Sequence, residues 1–184
     1  PNHPKLADLE TASRRPHAHK EGVCARHYWQ VFASCVPVPA FSRDPEMDGT
    51  NALLNYGYAV LLSTVLQKLF ACGLDPTFGI GHAVKERSTP LAYDLMEPFR
   101  PCVDLRVYQW LNGPGKYQGQ AVTREFKQWI TGFVLEKAGS LSIDIDVRGA
   151  IEGVVRSFRR AVLHQRLGEY TPWIAVNTKW GGCL

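Results

Sequence analysis

The sequence has no Cys-x-x-Cys pair, and its five cysteines (Cys24, Cys35, Cys72, Cys102 and Cys183) are an odd number. Both features argue against a disulfide framework or a zinc knuckle, and leave the thiols as small buried hydrophobes. No apolar run is long enough to span a bilayer, because the longest, Tyr58 to Cys72, is interrupted by Ser63, Thr64, Gln67 and Lys68. Residues 1–20 are polar and carry no signal-peptide pattern. A phosphate-binding Gly-x-x-x-x-Gly-Lys-Ser/Thr loop is missing, so nothing points to nucleotide hydrolysis. Strand patterns are weak everywhere, and no internal repeat or low-complexity segment occurs.

What is present suits one domain. The 184 residues are 45% apolar, enough to bury a core. The net charge of +4 is mildly basic, which permits a polyanionic partner without requiring one. The reading is mainly α. A helix is predicted from about Pro16 to Cys35, ended by Pro37 and Pro39. A second runs from about Thr50 to Cys72, stopped by Gly73; apolar residues cover most of its circumference, which predicts a central core helix. Ser88-Thr89-Pro90 reads as a cap and first turn, opening a helix to about Leu111 that Pro98 and Pro101 should kink or restart. Further helices are expected over 121–138 and 147–167. In the last, Ile151, Val154, Val155, Phe158 and Val162 form the apolar stripe.

Three local patterns could carry chemistry. Glu21 sits early in a helix beside small residues, where spacing alone favours a solvated glutamate suited to the helix dipole. His82 follows a Gly-Ile-Gly turn, and a lone histidine there reads as a surface residue. Asp94 and Glu97 are more unusual: three residues apart, they share one helix face among Leu, Met, Phe and Pro. Either a divalent cation or an ion pair between Glu97 and Arg100 would offset the cost of that placement. A carboxylate, imidazole and carboxylate site would suit Mg²⁺ or Mn²⁺.

Four motifs occur in order: Glu-Gly-x-x-Ala-x-x-Tyr-Trp from Glu21, Asn-Ala-Leu-Leu-Asn-Tyr-Gly-Tyr from Asn51, Gly-Leu-Asp-Pro-x-x-Gly-Ile-x-His ending at His82, and Asp-Leu-Met-Glu-Pro-Phe-Arg-Pro from Asp94. Together they resemble the catalytic helical domain of the CRISPR adaptation integrase, the first Cas protein ("Cas-one"), over roughly residues 15–170.

The resemblance implies a leader over 1–15, a helical catalytic domain over 16–170 and a tail over 171–184. It implies a Mg²⁺ or Mn²⁺ site formed by Glu21, His82 and Glu97, with Asp94 as a second acidic position. The implied reaction is spacer acquisition by transesterification, in which the 3′-hydroxyl of a foreign DNA fragment attacks the repeat boundary of a CRISPR array. The same site would act as an endonuclease when water attacks instead, and a non-catalytic DNA-bridging subunit is the rival of a different class. Arg87 is the basic residue best placed to hold the scissile phosphate, and Arg156, Arg159 and Arg160 are further candidates for DNA binding. Residues 121–184 are the most positive part of the chain, with nine Lys/Arg against six Asp/Glu. Tyr28, Trp29, Tyr56 and Tyr58 read as core rather than base-stacking platforms. The expected setting is the prokaryotic cytoplasm, and the expected partners are double-stranded DNA and further copies of the chain. Typical members carry a β-rich domain ahead of the catalytic glutamate, where this chain has twenty residues. It therefore reads as a fragment or a compact member, and the small partner protein ("Cas-two") that docks through that domain becomes doubtful.

Overall fold

The computed structural model describes residues 7–8, 11, 20–80, 88–117, 120–140 and 143–173. Among these the chain is mainly helical, as its periodicity predicts. The elements used below are α1 (Lys20–Cys35), α2 (Thr50–Ala71), α3 (Pro90–Met96), α4 (Arg100–Asn112), α5 (Arg124–Thr131) and α6 (Val147–His164), with a hairpin of β1 (Lys137–Ser140) and β2 (Ile143–Asp146) before α6.

Helix α2 is the central element, with Leu53, Leu54, Leu61, Val65 and Leu69 fully buried. Its ends are closed by different devices. The side-chain oxygen of Gln120 accepts hydrogen bonds from the Thr50 amide and hydroxyl at 2.9 and 3.0 Å, satisfying orphan donors of the first turn. At the other end Gly73 is left-handed (φ 67°), its amide donates to Phe70 O, and the Leu74 amide donates to Leu69 O. This is the paired-bond glycine stop that the sequence announces. The helix is not apolar to the core all round, however: Phe70 is 64% exposed.

Helices α2 and α4 approach closely at Gly57, where an added Cβ would lie 2.4 Å from Val103 Cγ1. Val103 is fully buried and β-branched, so it cannot swing aside freely. Gly57→Ala gains about 1 kcal/mol of helix propensity but overpacks this crossing by about 1–3 kcal/mol. The expected net result is a melting temperature several degrees lower. An unchanged or raised melting temperature would show that Val103 repacks without strain.

The prolines of this segment behave as expected, but the cap does not. Thr89 stands at the N-cap position of α3 without a side-chain hydrogen bond to the first turn. Pro90 opens the helix, and Glu97–Phe99 form a 3₁₀ turn that leads directly into α4. Pro98 and Pro101 each sit at the start of a helical segment, where a missing amide costs no internal bond. The face formed by Leu95, Phe99, Val103 and Val107 packs into the core.

The helix expected over 121–138 is shorter. Thr123 caps α5 by accepting from the Phe126 amide at 3.2 Å, but the helix ends at Thr131. A 3₁₀ turn over Gly132–Leu135 follows, and then β1 pairs antiparallel with β2, Lys137 opposite Asp146 and Ser140 opposite Ile143. Asp146 then caps α6, its Oδ1 accepting from the Gly149 amide at 2.6 Å. On α6, Ile151, Val154 and Val155 are buried as the stripe predicts, but Val162 is 52% exposed and Ala161 takes the inward position. No helix among the described residues is long and apolar enough to cross a membrane.

Candidate active site

A cleft of about 340 Å³ opens where α1, α2 and the Glu97–Asp104 stretch meet. One wall is the α1 row Cys24, Ala25 and Tyr28, with Trp29 beside it. The opposite wall carries Glu97, Arg100 and Pro101. Small residues at Cys24 and Ala25 keep the walls apart, and Glu21 precedes them by one turn of the same helix row (21, 24, 25, 28). Glu97 thus stands in a cleft whose other wall is the helix that bears Glu21. The side chain of Glu21, and all of His82 and Arg87, lie outside the described residues.

Glu97 is about one-third exposed and accepts a hydrogen bond from Arg100 Nη1 through Oε1 at 2.9 Å. The ion pair anticipated from the spacing therefore exists. Arg100 also lies over the Tyr58 ring, 4.4 Å from its centroid. Asp94 behaves differently. Its Oδ2 accepts from the Ile80 amide at 2.5 Å, so it holds the chain just ahead of His82 and does not line the cleft.

Beneath the cleft lies an arrangement that sequence reasoning missed. Asp104 is 2% exposed. Tyr28 donates its hydroxyl proton to Oδ2 at 2.5 Å, and Tyr58 donates a short hydrogen bond to Oδ1. Arg43 lies between the Trp29 and Tyr58 rings, 5.6 and 5.7 Å from their centroids, and donates to Asn51 and Asn55 at 2.9 and 2.7 Å. Burial pushes the Asp104 carboxyl up to about 6, against the two phenol bonds and the Arg100 and Arg43 charges, which pull it down. Burial and the neighbouring Asp104 hold both phenols above their ordinary range. The available signal was an acid on the apolar α4 stripe of Val103, Val107, Trp110 and Leu111.

Arg156, Arg159 and Arg160 gather around a second cleft of about 480 Å³ with His164 and the C-terminal end of α2. Arg156 pairs with Glu152 at 2.7 Å, and Glu152 also receives Lys68. Arg160 reaches Glu169 at 3.5 Å. Arg159 has no ion-pair partner among the described residues.

The protein family described as "CRISPR associated protein Cas1" matches residues 6–141, most of the chain. The chain belongs to the Cas1 family. A CRISPR-associated endonuclease Cas1 of Pyrobaculum aerophilum is 39% identical over 108 residues, covering 58% of this chain and 35% of that protein. One from Thermus thermophilus is 46% identical over 88 residues, covering 46% of this chain and 28% of its own length. The chain thus spans about a third of the length of the curated relatives it matches. Among solved structures, the Cas1 protein of Thermotoga maritima has a TM-score of 0.69 at 19% identity, over 88% of this chain and 60% of that one. A partial Cas6-RT-Cas1–Cas2 complex gives 0.76 at 20% identity, covering 95% and 60%. A casposase bound to integration product gives 0.70 at 24% identity, covering 90% and 55%. At these identities the structures establish the Cas1 fold of the chain.

Among the described residues no group of three or more His, Cys, Asp and Glu is placed to hold a metal ion. Glu97 nevertheless fits one: it is a partly exposed carboxylate on the cleft wall, engaged by Arg100 through Oε1. Hard oxygen donors of this kind suit Mg²⁺ or Mn²⁺.

Proposed function

We propose that this chain is the catalytic part of a CRISPR spacer-acquisition integrase. The observation that carries the reading is the cleft itself: within a Cas1-family chain, the first and fourth motifs form its opposing walls and bring Glu97 to face the Glu21 helix. Glu21, His82 and Glu97 are the proposed ligands of Mg²⁺ or Mn²⁺, which when bound would stabilise charge on a phosphoryl group. Asp94 serves the site indirectly, by holding the turn that leads into His82. Arg87 is the proposed clamp on the scissile phosphate, and Arg156, Arg159 and Arg160 hold DNA phosphates farther along.

The reaction is an exchange of phosphodiester bonds. The 3′-oxygen of the incoming strand forms a bond to phosphorus, the target strand's 3′-oxygen leaves, and the attacking hydroxyl's proton ends on the leaving oxygen. One phosphodiester replaces another, so no nucleotide hydrolysis is required. The protein's contribution is placement and charge complementarity. A casposase bound to integration product and a Cas6-RT-Cas1–Cas2 complex share this fold, which supports DNA, a Cas2-type partner and further Cas1 copies as the proposed partners. A second reading, hydrolytic cutting at the same site, is favoured by the endonuclease names of the curated relatives.

The test incubates the chain with a short duplex bearing 3′-hydroxyl ends, a supercoiled plasmid and Mn²⁺. Plasmid joined to the duplex is the expected product. Cutting without joining would favour the nuclease, and binding without either reaction would leave a DNA-bridging subunit. His82→Ala should abolish joining and spare DNA binding; joining that survives it would remove His82 from the site.

A further inference from the structure

The Asp104 network is more costly than stability alone requires. A buried carboxylate loses its hydration, and an apolar side chain of similar size would pack at less expense between Val103 and Val107. What the charge provides is direction. Each carboxylate oxygen takes one phenol, Oδ2 from Tyr28 on α1 and Oδ1 from Tyr58 on α2, so three helices are fixed at one point. Arg100 and Arg43 both lie over the Tyr58 ring and limit how far it can turn, and Arg43 also lies over Trp29, the α1 neighbour of Tyr28.

The position of this point matters. Tyr28 lies seven residues, two helical turns, beyond Glu21 on the same row of α1. Asp104 lies seven residues beyond Glu97, along the 3₁₀ turn and α4. Seven helical residues span about 10 Å. The Tyr28–Asp104 bond is therefore a crosspiece two turns from each proposed ligand, joining the two walls of the cleft. Tyr58 meets the same carboxylate but stands on α2, which bears no proposed ligand.

We propose that Asp104 is a positioning residue: by holding Tyr28, it sets where the Glu21 turn of α1 stands relative to Glu97. The inference rests on the functional reading above, since it assumes that these two glutamates share an ion. A metal site tolerates little displacement of its ligands, and loss of a supporting contact typically costs tenfold or more in affinity.

The test measures Mn²⁺ binding to the 184-residue chain by calorimetric titration, with no DNA and no turnover. Tyr28→Phe keeps the ring and loses only the hydroxyl that reaches Asp104. It should weaken Mn²⁺ binding about tenfold. Tyr58→Phe removes the other phenol bond but leaves the crosspiece, and should change Mn²⁺ binding less than about twofold. Asp104→Asn should weaken binding at least as much as Tyr28→Phe, which gives a second readout on the same bond from the α4 side. Thermal unfolding of each variant separates loss of fold from loss of placement. Wild-type affinity in Tyr28→Phe would overturn the proposal, as would equal losses in Tyr28→Phe and Tyr58→Phe. A wild-type chain that binds no Mn²⁺ would instead overturn the functional reading, and this inference with it.

Discussion

Replacing Glu97 by Ala is expected to slow DNA joining by a factor on the order of 10² to 10³ while leaving DNA affinity and folding nearly unchanged. The contrast that gives this force is Arg100. If Glu97 were present only to pair with Arg100, its loss would be a small stability effect. The two side chains are 38% and 35% exposed, and exposed pairs contribute about 0–1 kcal/mol. Glu97→Ala would then lower the melting temperature slightly and leave joining intact. If Glu97 is a ligand, the rate falls and the melting temperature barely moves. Arg100→Ala should show the opposite balance. It removes a cation lying 4.4 Å over the Tyr58 ring, so it disturbs the packing beneath the cleft more than it disturbs the proposed ligand set. The measurement is single-turnover joining in Mn²⁺, with DNA affinity determined separately for each variant. Full joining activity in Glu97→Ala would return this residue to the role of an ion-pair partner.

The fold was legible wherever apolar periodicity and helix stops coincide. Helix α2 begins and ends within a residue of its expectation, because Gly73 supplies a stop that local chemistry dictates. Pro98 and Pro101 likewise mark the 3₁₀ step between α3 and α4. The hairpin escaped because Lys137-Ala-Gly-Ser140 has no β-branched residue, and because Asp146, the last strand residue, doubles as the cap of α6. Ile143-Asp-Ile-Asp146 does alternate, but four residues are too few to outweigh a helical pattern on either side. At the site, spacing could pair Asp94 with Glu97 but could not separate their tasks. That depends on the partner each meets: Asp94 accepts from the Ile80 amide, and among the described residues Glu97 pairs with Arg100. Asp104 went unread for a related reason. Its partners are 76 and 46 residues away, and no local pattern encodes a contact at that range.

Asp104 also makes a prediction about pH. Burial raises its carboxyl from 3.8 to about 6, so between those values the folded chain holds a proton that the unfolded chain has released. Stability from this group is therefore fully present below about pH 4 and is lost as pH rises through about 6. A shift of this size corresponds to about 3 kcal/mol. The groups facing it do not titrate in that window. Tyr28 and Tyr58 are held above the ordinary phenol range, and the Arg100 and Arg43 guanidiniums stay charged throughout. Asp104→Asn removes the titration while keeping the shape. The stability of wild type relative to Asp104→Asn should accordingly be highest near pH 4 and fall by about 3 kcal/mol by pH 7. Denaturant unfolding of both proteins across that range measures the difference, and subtracting one from the other isolates the contribution of Asp104. A flat difference would mean that two phenol bonds and two nearby cations outweigh burial and keep Asp104 ionised throughout. A falling one would mean that above pH 6 the chain maintains a charged Asp104 at the expense of its own stability, which is the pattern expected of a group retained to hold Tyr28 in place.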